Sequence, residues 1–171
     1  VAGNLTINAD NADNAISYFT DNGVGTLDST ALVGGAYTND AVYLNVALTG
    51  GSGSGARADI TVNGGTVTAV TLVNDGAGYG IGDNLSAATA DLGGAGAGGF
   101  MIPVNGHSGT VAIDNQEVMV FANKTNLTIN AQGGSDEISL NYQDAVNPPA
   151  TRTAAPAGLT GNITVNGGDP T

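Results

Sequence analysis

Residues 48–104 read LTGGSGSGARADITVNGGTVTAVTLVNDGAGYGIGDNLSAATADLGGAGAGGFMIPV. Ile60-Thr61-Val62 runs into Asn63-Gly64-Gly65, and Thr66 to Val73 is a Thr/Val run broken only by Ala69 and Leu72. Two β-favouring runs joined by a short Asn-Gly-Gly link predict a hairpin, because Asn and Gly accept the positive φ of tight hairpin turns. Strict alternation in the second run puts Val67, Ala69 and Val73 on one face and Val70 and Leu72 on the other. Apolar groups on both faces predict a strand covered on both sides. The run stops at Asn74-Asp75-Gly76, after which Gly76, Gly78, Gly80 and Gly82 alternate through GAGYGIGD, with Tyr79 placed to pin the loop down.

Outside this stretch the same strand vocabulary returns. Asn4-Leu5-Thr6-Ile7-Asn8-Ala9 is repeated residue for residue at Asn126 to Ala131, and Ile16-Ser17 then falls on Ile138-Ser139 without a gap. A third version, Asn162-Ile163-Thr164-Val165-Asn166, carries an ITVNGG (residues 163–168) identical to residues 60–65 of the central hairpin. Taking Leu5, Ile60, Leu127 and Ile163 as equivalent strands makes the intervals 55, 67 and 36 residues. Unequal intervals predict reuse of one strand-turn unit without the fixed period that defines a solenoid. Further strands are expected at residues 15–20, 110–113, 117–122 and 137–142, and His107-Ser108-Gly109 reads as a loop. Residues 147–158 hold three of the five prolines, which donate no ladder hydrogen bond, so that segment reads as an extended surface loop. No window has a capped 3.6-residue period, and no long helix is expected.

The GSGSGA lead, Thr-rich hairpin, GYGIGD turn and second Gly-rich turn before a short apolar strand resemble a β module of tailed-phage structural proteins. The likeness covers residues 33–104, through Tyr37, Gly53, Gly55, Gly64, Gly78, Tyr79, Gly82, Asp83 and Gly98, with Gly80 where that pattern has Thr. It implies a non-catalytic β building block. The flanks, with NLTIN strands and GGD-type turns, resemble segments of long repetitive bacterial surface proteins.

Three basic residues against fifteen acidic ones leave a formal charge of −12. Binding a polyanion needs a basic stripe, which Arg57, Lys124 and Arg152 cannot make, so nucleic acid is excluded as an expected partner. No cysteine is present, which removes disulfides, thiolate metal sites and cysteine nucleophiles together. No apolar run is long enough to span a membrane. The chain opens on Val1 with no signal-peptide pattern, as a mature or partial chain would. The apolar residues are mainly Val, Ala, Leu and Ile, with three Phe, five Tyr and no Trp, which predicts thin cores of short side chains.

The motifs that carry chemistry are sparse. Gly94-Ala95-Gly96-Ala97-Gly98-Gly99 matches G-x-G-x-x-G, but a dinucleotide site needs a helix next and Phe100 to Val104 reads as a strand. His107, the single histidine, has no nucleophile elbow to serve and reads as a solvated loop residue. Glu117 and Glu137, the only glutamates, lack the aromatic cluster that would stack a sugar. Asp10, Asp13, Asp21 and Asp136 offer turn oxygens of the kind calcium prefers, although β-turns want Asp and Asn for their own sake. Calcium is thus the one cofactor with candidate ligands. Asn4, Asn84, Asn123, Asn126 and Asn162 begin N-x-S/T sequons and are candidate glycan sites.

These readings predict an all-β protein: short antiparallel strands in sandwich-like or solenoid-like sheets, with Gly/Asn/Asp-rich turns. Residues 1–30 form an N-terminal strand-turn segment packing with the C-terminal part, residues 31–104 the central module, and residues 105–171 a C-terminal β segment. The expected role is a non-catalytic subunit or repeat segment of an extracellular or cell-surface filament, sheath or layer. Copies would join head to tail through the strands of Leu5 and Ile7 and of Ile163 and Val165. A virion decoration or tail-fibre subunit is the alternative, and a calcium- or sugar-binding adhesion module the next.

Overall fold

The computed structural model describes residues 3–94, 99–114, 116, 118–141, 158–159 and 161–168. In chain order the strands are β1 (Leu5–Asn8), β2 (Ala15–Phe19), β3 (Val24–Leu27), β4 (Ala41–Ala47), β5 (Arg57–Asn63), β6 (Thr66–Asn74) and β7 (Asn84–Leu85). They continue as β8 (Ile102–His107), β9 (Gly109–Ile113), β10 (Met119–Phe121), β11 (Leu127–Asn130), β12 (Glu137–Asn141) and β13 (Ile163–Asn166). Single 3₁₀ turns at Ser29–Ala31 and Thr89–Leu92 are the only helical elements among the described residues. The protein is all-β, as its alternating, glycine-punctuated runs require. The Pro-rich segment 147–158 lies outside the described residues except for Gly158.

Two compact units form, one from Asn22–His107 and the other from Val1–Asp21 with Ser108–Thr171. The Asn22–His107 unit contains two antiparallel three-stranded sheets, ordered β4-β5-β6 and β3-β8-β7. Its hairpin closes at Asn63 paired with Thr66, and Gly64 and Gly65 between them have φ of 61° and 75°. Both central residues of a type I′ turn need such values, and that turn matches the twist of the flanking strands. The Asp40 carboxylate accepts from the backbone N–H of Gly64 and of Gly65, each at 2.9 Å, and fixes the turn from outside.

The expected faces of β6 are corrected here. Register shifts between the rungs Thr61–Ala69 and Val62–Val67, so Thr68 is an extra residue on β6. A bulge of this kind resets the side-chain phase. Val67 is buried, Val70 and Leu72 pack against the same core, and Ala69 and Val73 are exposed. The strand is therefore covered on one side, not two. That core gathers Ile60, Val62, Leu85, Leu92, Phe100 and Ile102 around two buried tyrosines. The Tyr37 hydroxyl accepts from the Phe100 N–H at 2.9 Å, and the Tyr79 hydroxyl accepts from the Ala56 N–H at 3.3 Å. Tyr79 does pin the glycine loop: a Cβ on Gly53 would stand 2.6 Å from its ring, so only glycine passes there.

In the second unit three of the five strand pairings are parallel and two are antiparallel. Its first sheet is ordered β1-β11-β13, with both pairs parallel and in register: Leu5, Leu127 and Ile163 share one rung, Ile7, Ile129 and Val165 another. Its second sheet is ordered β10-β9-β2-β12, in which β2 and β12 are parallel, with Ile16 opposite Ile138, and the β9 contacts are antiparallel. Thus the repeated phrases lie directly on one another. Ile7, Ile16, Tyr18, Val111, Phe121, Leu127 and Ile129 are buried between them, each worth roughly 1.5–3 kcal/mol of apolar burial.

This stacking has a fixed period after all. Strands β1 and β11 are 122 residues apart, and β11 and β13 are 36 apart. Subtracting the 86 residues from Asn22 to His107 from 122 leaves 36. The unit is a parallel solenoid with a 36-residue coil, and the other unit is inserted into its first coil. The identical ITVNGG at residues 60–65 misleads because it belongs to β5, an antiparallel strand of the inserted unit.

Candidate assembly site

Stacking equal strands in register puts equal side chains on each rung, so the polar rungs become ladders. Asn130 donates its side-chain amide to Oδ1 of Asn8 at 2.7 Å, and Asn166 donates to Oδ1 of Asn130 at 2.7 Å. At the other end of the strands Asn126 donates to Oδ1 of Asn4 at 3.1 Å, and its own Oδ1 accepts from the Asn162 N–H at 3.0 Å. The ladders have a direction: amide donors point from each coil toward the preceding one. Three copies of Asn-x-Thr-x-Asn carried this signal in the sequence.

The connecting turns stack by the same rule. Asp10 Oδ1 accepts from the Ala12 N–H and the Asn14 side-chain amide, and its carboxyl is held below the ordinary carboxylate range by these bonds, Asn14 first. Asn14 N–H donates to Asp136 Oδ1 at 3.0 Å, and Ser135 N–H donates to Asp13 Oδ1 at 2.8 Å, both across 122 residues. Gly134 lies so close to Ala12 that a Cβ would meet its carbonyl. Three of the four candidate calcium ligands, Asp10, Asp13 and Asp136, therefore meet in one pair of stacked turns, where each spends an oxygen on backbone N–H. Asp21 is the last residue of the unit before the insertion. Among the described residues no three His, Asp or Glu side chains converge as a metal cluster.

The edge strands named from sequence sit at opposite sides of the ladder sheet, with Leu5 and Ile7 on β1 and Ile163 and Val165 on β13. The two edges are unequally covered. Ile7 is 4% exposed and Ile129 0%, whereas Val165, on the same rung, is 41% exposed. On the second sheet Leu140 is 42% exposed opposite a fully buried Tyr18. At the other side of that sheet β9 and β10 cover β2, and Phe121 packs its ring 6.2 Å from that of Tyr18. One end of the coil stack is thus capped, while inward-facing side chains at the β12–β13 end still meet solvent.

Of the sequons, Asn4, Asn126 and Asn162 belong to the ladder, and a sugar on Asn126 Nδ2 would displace its bond to Asn4. Asn84 is exposed in β7, and Asn123 has a left-handed φ of 54°. His107 is no solvated loop residue: it ends β8, half-buried, with Nε2 2.8 Å from the Tyr79 carbonyl oxygen. Asp83 anchors the neighbouring loops, accepting from the Ser52 N–H and hydroxyl and from the Gly80 N–H. Those bonds, the Ser52 N–H above all, hold its carboxyl below the ordinary range. Strand β8 follows the glycine run 94–99, where a dinucleotide site would need a helix.

No protein family, curated protein or solved structure matches this chain.

Proposed function

We propose that this chain is a non-catalytic structural segment of an extracellular assembly, a surface filament, sheath or layer, joined through its strand edges. The observation that carries this reading is the open edge at β13: Val165 lies on the rung of two buried isoleucines yet is 41% exposed. An edge strand with unpaired backbone groups is a template for another strand, and covering its apolar rung adds burial to the hydrogen bonds. The carboxylates held below their ordinary range, Asp10, Asp28, Asp40 and Asp83, all serve turns and caps, which is a structural use of charge. Light scattering and electron microscopy of the purified chain at rising concentration test the reading. Growing oligomers or fibres are expected, and a chain that stays monomeric at high concentration contradicts it.

A virion subunit is the second reading, favoured because the whole phage-like stretch 33–104 falls inside the compact Asn22–His107 unit. Copurification with capsids or tails, against cell envelopes, separates the two.

A further inference from the structure

We infer that the outer edge of β13 receives β1 of a second copy, parallel and in register, with Ile163 opposite Leu5, Thr164 opposite Thr6, Val165 opposite Ile7 and Asn166 opposite Asn8. The inference rests on the structural reading above and adds the direction, register and chemical selector of the joint. Two internal joints already show the pattern, since β1 on β11 and β11 on β13 have this register and no other. The ladder then specifies which strand comes next. In both rungs of this ladder the later asparagine donates and the earlier accepts, which leaves Oδ1 of Asn166 and Nδ2 of Asn8 unmatched at the two ends among the described residues. The β13 end needs an amide donor and the β1 end has one to offer. An antiparallel partner with Thr6 opposite Thr164 would also place like residues on each rung, so the direction is set by the two internal joints, both parallel, and by the one-way order of the amide donors. The same contact would cover Val165 and Ile163, matching the burial of Ile129 and Leu127 one strand away.

The two sheets do not end level. Strand β13 stands one strand beyond β12, while β9 and β10 stand two strands beyond β2 at the other end. A copy whose β1 lies on β13 at the same spacing would bring its β10 onto the place of β12, so the two copies must tilt apart there. The joint is therefore carried by the ladder sheet alone and opens on the side of the second sheet.

The chain has no cysteine, so a disulfide can report the register. Thr6 and Thr164 both face solvent, and β11 separates them within one copy by two strand spacings, about 9.6 Å. That exceeds the roughly 7 Å limit for bridging. The Thr6→Cys/Thr164→Cys variant should give a ladder of disulfide-linked multimers on mild oxidation, while Thr6→Cys alone and Thr164→Cys alone should not. Asn166→Leu in that background should cut the yield by about fivefold, the loss of one hydrogen bond. Dimers from Thr164→Cys alone mean antiparallel β13 pairing, and multimers from Asn4→Cys/Asn166→Cys but not from Asn4→Cys/Asn162→Cys mean an antiparallel β1 on β13; either result overturns the inference. Multimers by light scattering without disulfides in the double variant overturn it too, but leave the structural reading standing. A monomeric parent chain removes both.

Discussion

The side-chain amide of Asn130 donates to Oδ1 of Asn8 at 2.7 Å, although 122 residues of chain separate them. Asn130 also accepts from Asn166, so it is the middle rung of the ladder. Asn130→Leu should lower unfolding free energy by about 1–2 kcal/mol, the sum of two modest hydrogen bonds. Asn166→Leu, which loses one bond, should cost roughly half as much. Urea denaturation at neutral pH compares them.

The insertion makes a separate prediction. Phe19 pairs with Thr110, and Thr20 Oγ1 donates to the Ser108 carbonyl at 3.0 Å, so the coil is closed on either side of the inserted unit. A chain in which Asp21 is joined through a short glycine linker to Ser108 should retain a cooperative β fold. Residues 22–107 alone should fold as well, having their own core. Circular dichroism and two-dimensional NMR of each piece check this; a disordered spectrum for the spliced chain contradicts the 36-residue coil.

In the inserted unit, Tyr37→Phe strands the Phe100 N–H in the core, because the hydroxyl that accepts it at 2.9 Å is removed. Leaving a buried donor unpaired costs about 1–3 kcal/mol. Gly64→Val forces a β-branched residue to φ of 61° and should cost about 1–3 kcal/mol without touching any neighbour. Thermal unfolding of the 22–107 piece reads both.

Acid should weaken the fold at a definite place. Asp40 is held below the ordinary range by the N–H groups of Gly65 and Gly64, and Asp83 chiefly by the backbone N–H and then the hydroxyl of Ser52. A carboxyl whose folded value is depressed adds stability above its unfolded value, about 3.9, and loses it as pH falls through the lower folded value. Stability should therefore be flat from neutral pH to about 5 and fall below about 4. Asp83→Asn should be less stable than the parent at pH 7 and approach it at pH 3, as urea midpoints would record.

Much of this fold was legible in the sequence. The Asn-Gly-Gly hairpin and the NLTIN strands needed only local pattern, and the alignment of Ile16 with Ile138 only the repeat of that phrase. The solenoid period did not survive the reading, because the 86 inserted residues hide it and because residues 60–65 copy the strand phrase in another sheet. The four residues Ile-Thr-Val-Asn of the shared phrase thus pair parallel at one place and antiparallel at the other: local sequence sets strand propensity, while the partner is set by tertiary context. The bulge at Thr68 was invisible for a related reason, since no residue type marks it. The ladder residues were visible as a repeat, but their role as rungs required the register.

The central claim is that the repeated strands stack in parallel, in register, every 36 residues once the insertion is set aside. Cross-strand NOEs in the isotope-labelled chain test it most directly. The account predicts contacts of Thr128 with both Thr6 and Thr164, and of Ile129 with both Ile7 and Val165. Contacts that pair Ile129 with Leu5 or Ile163, and Leu127 with Ile7 or Val165, as antiparallel strands centred on the threonines would, contradict it.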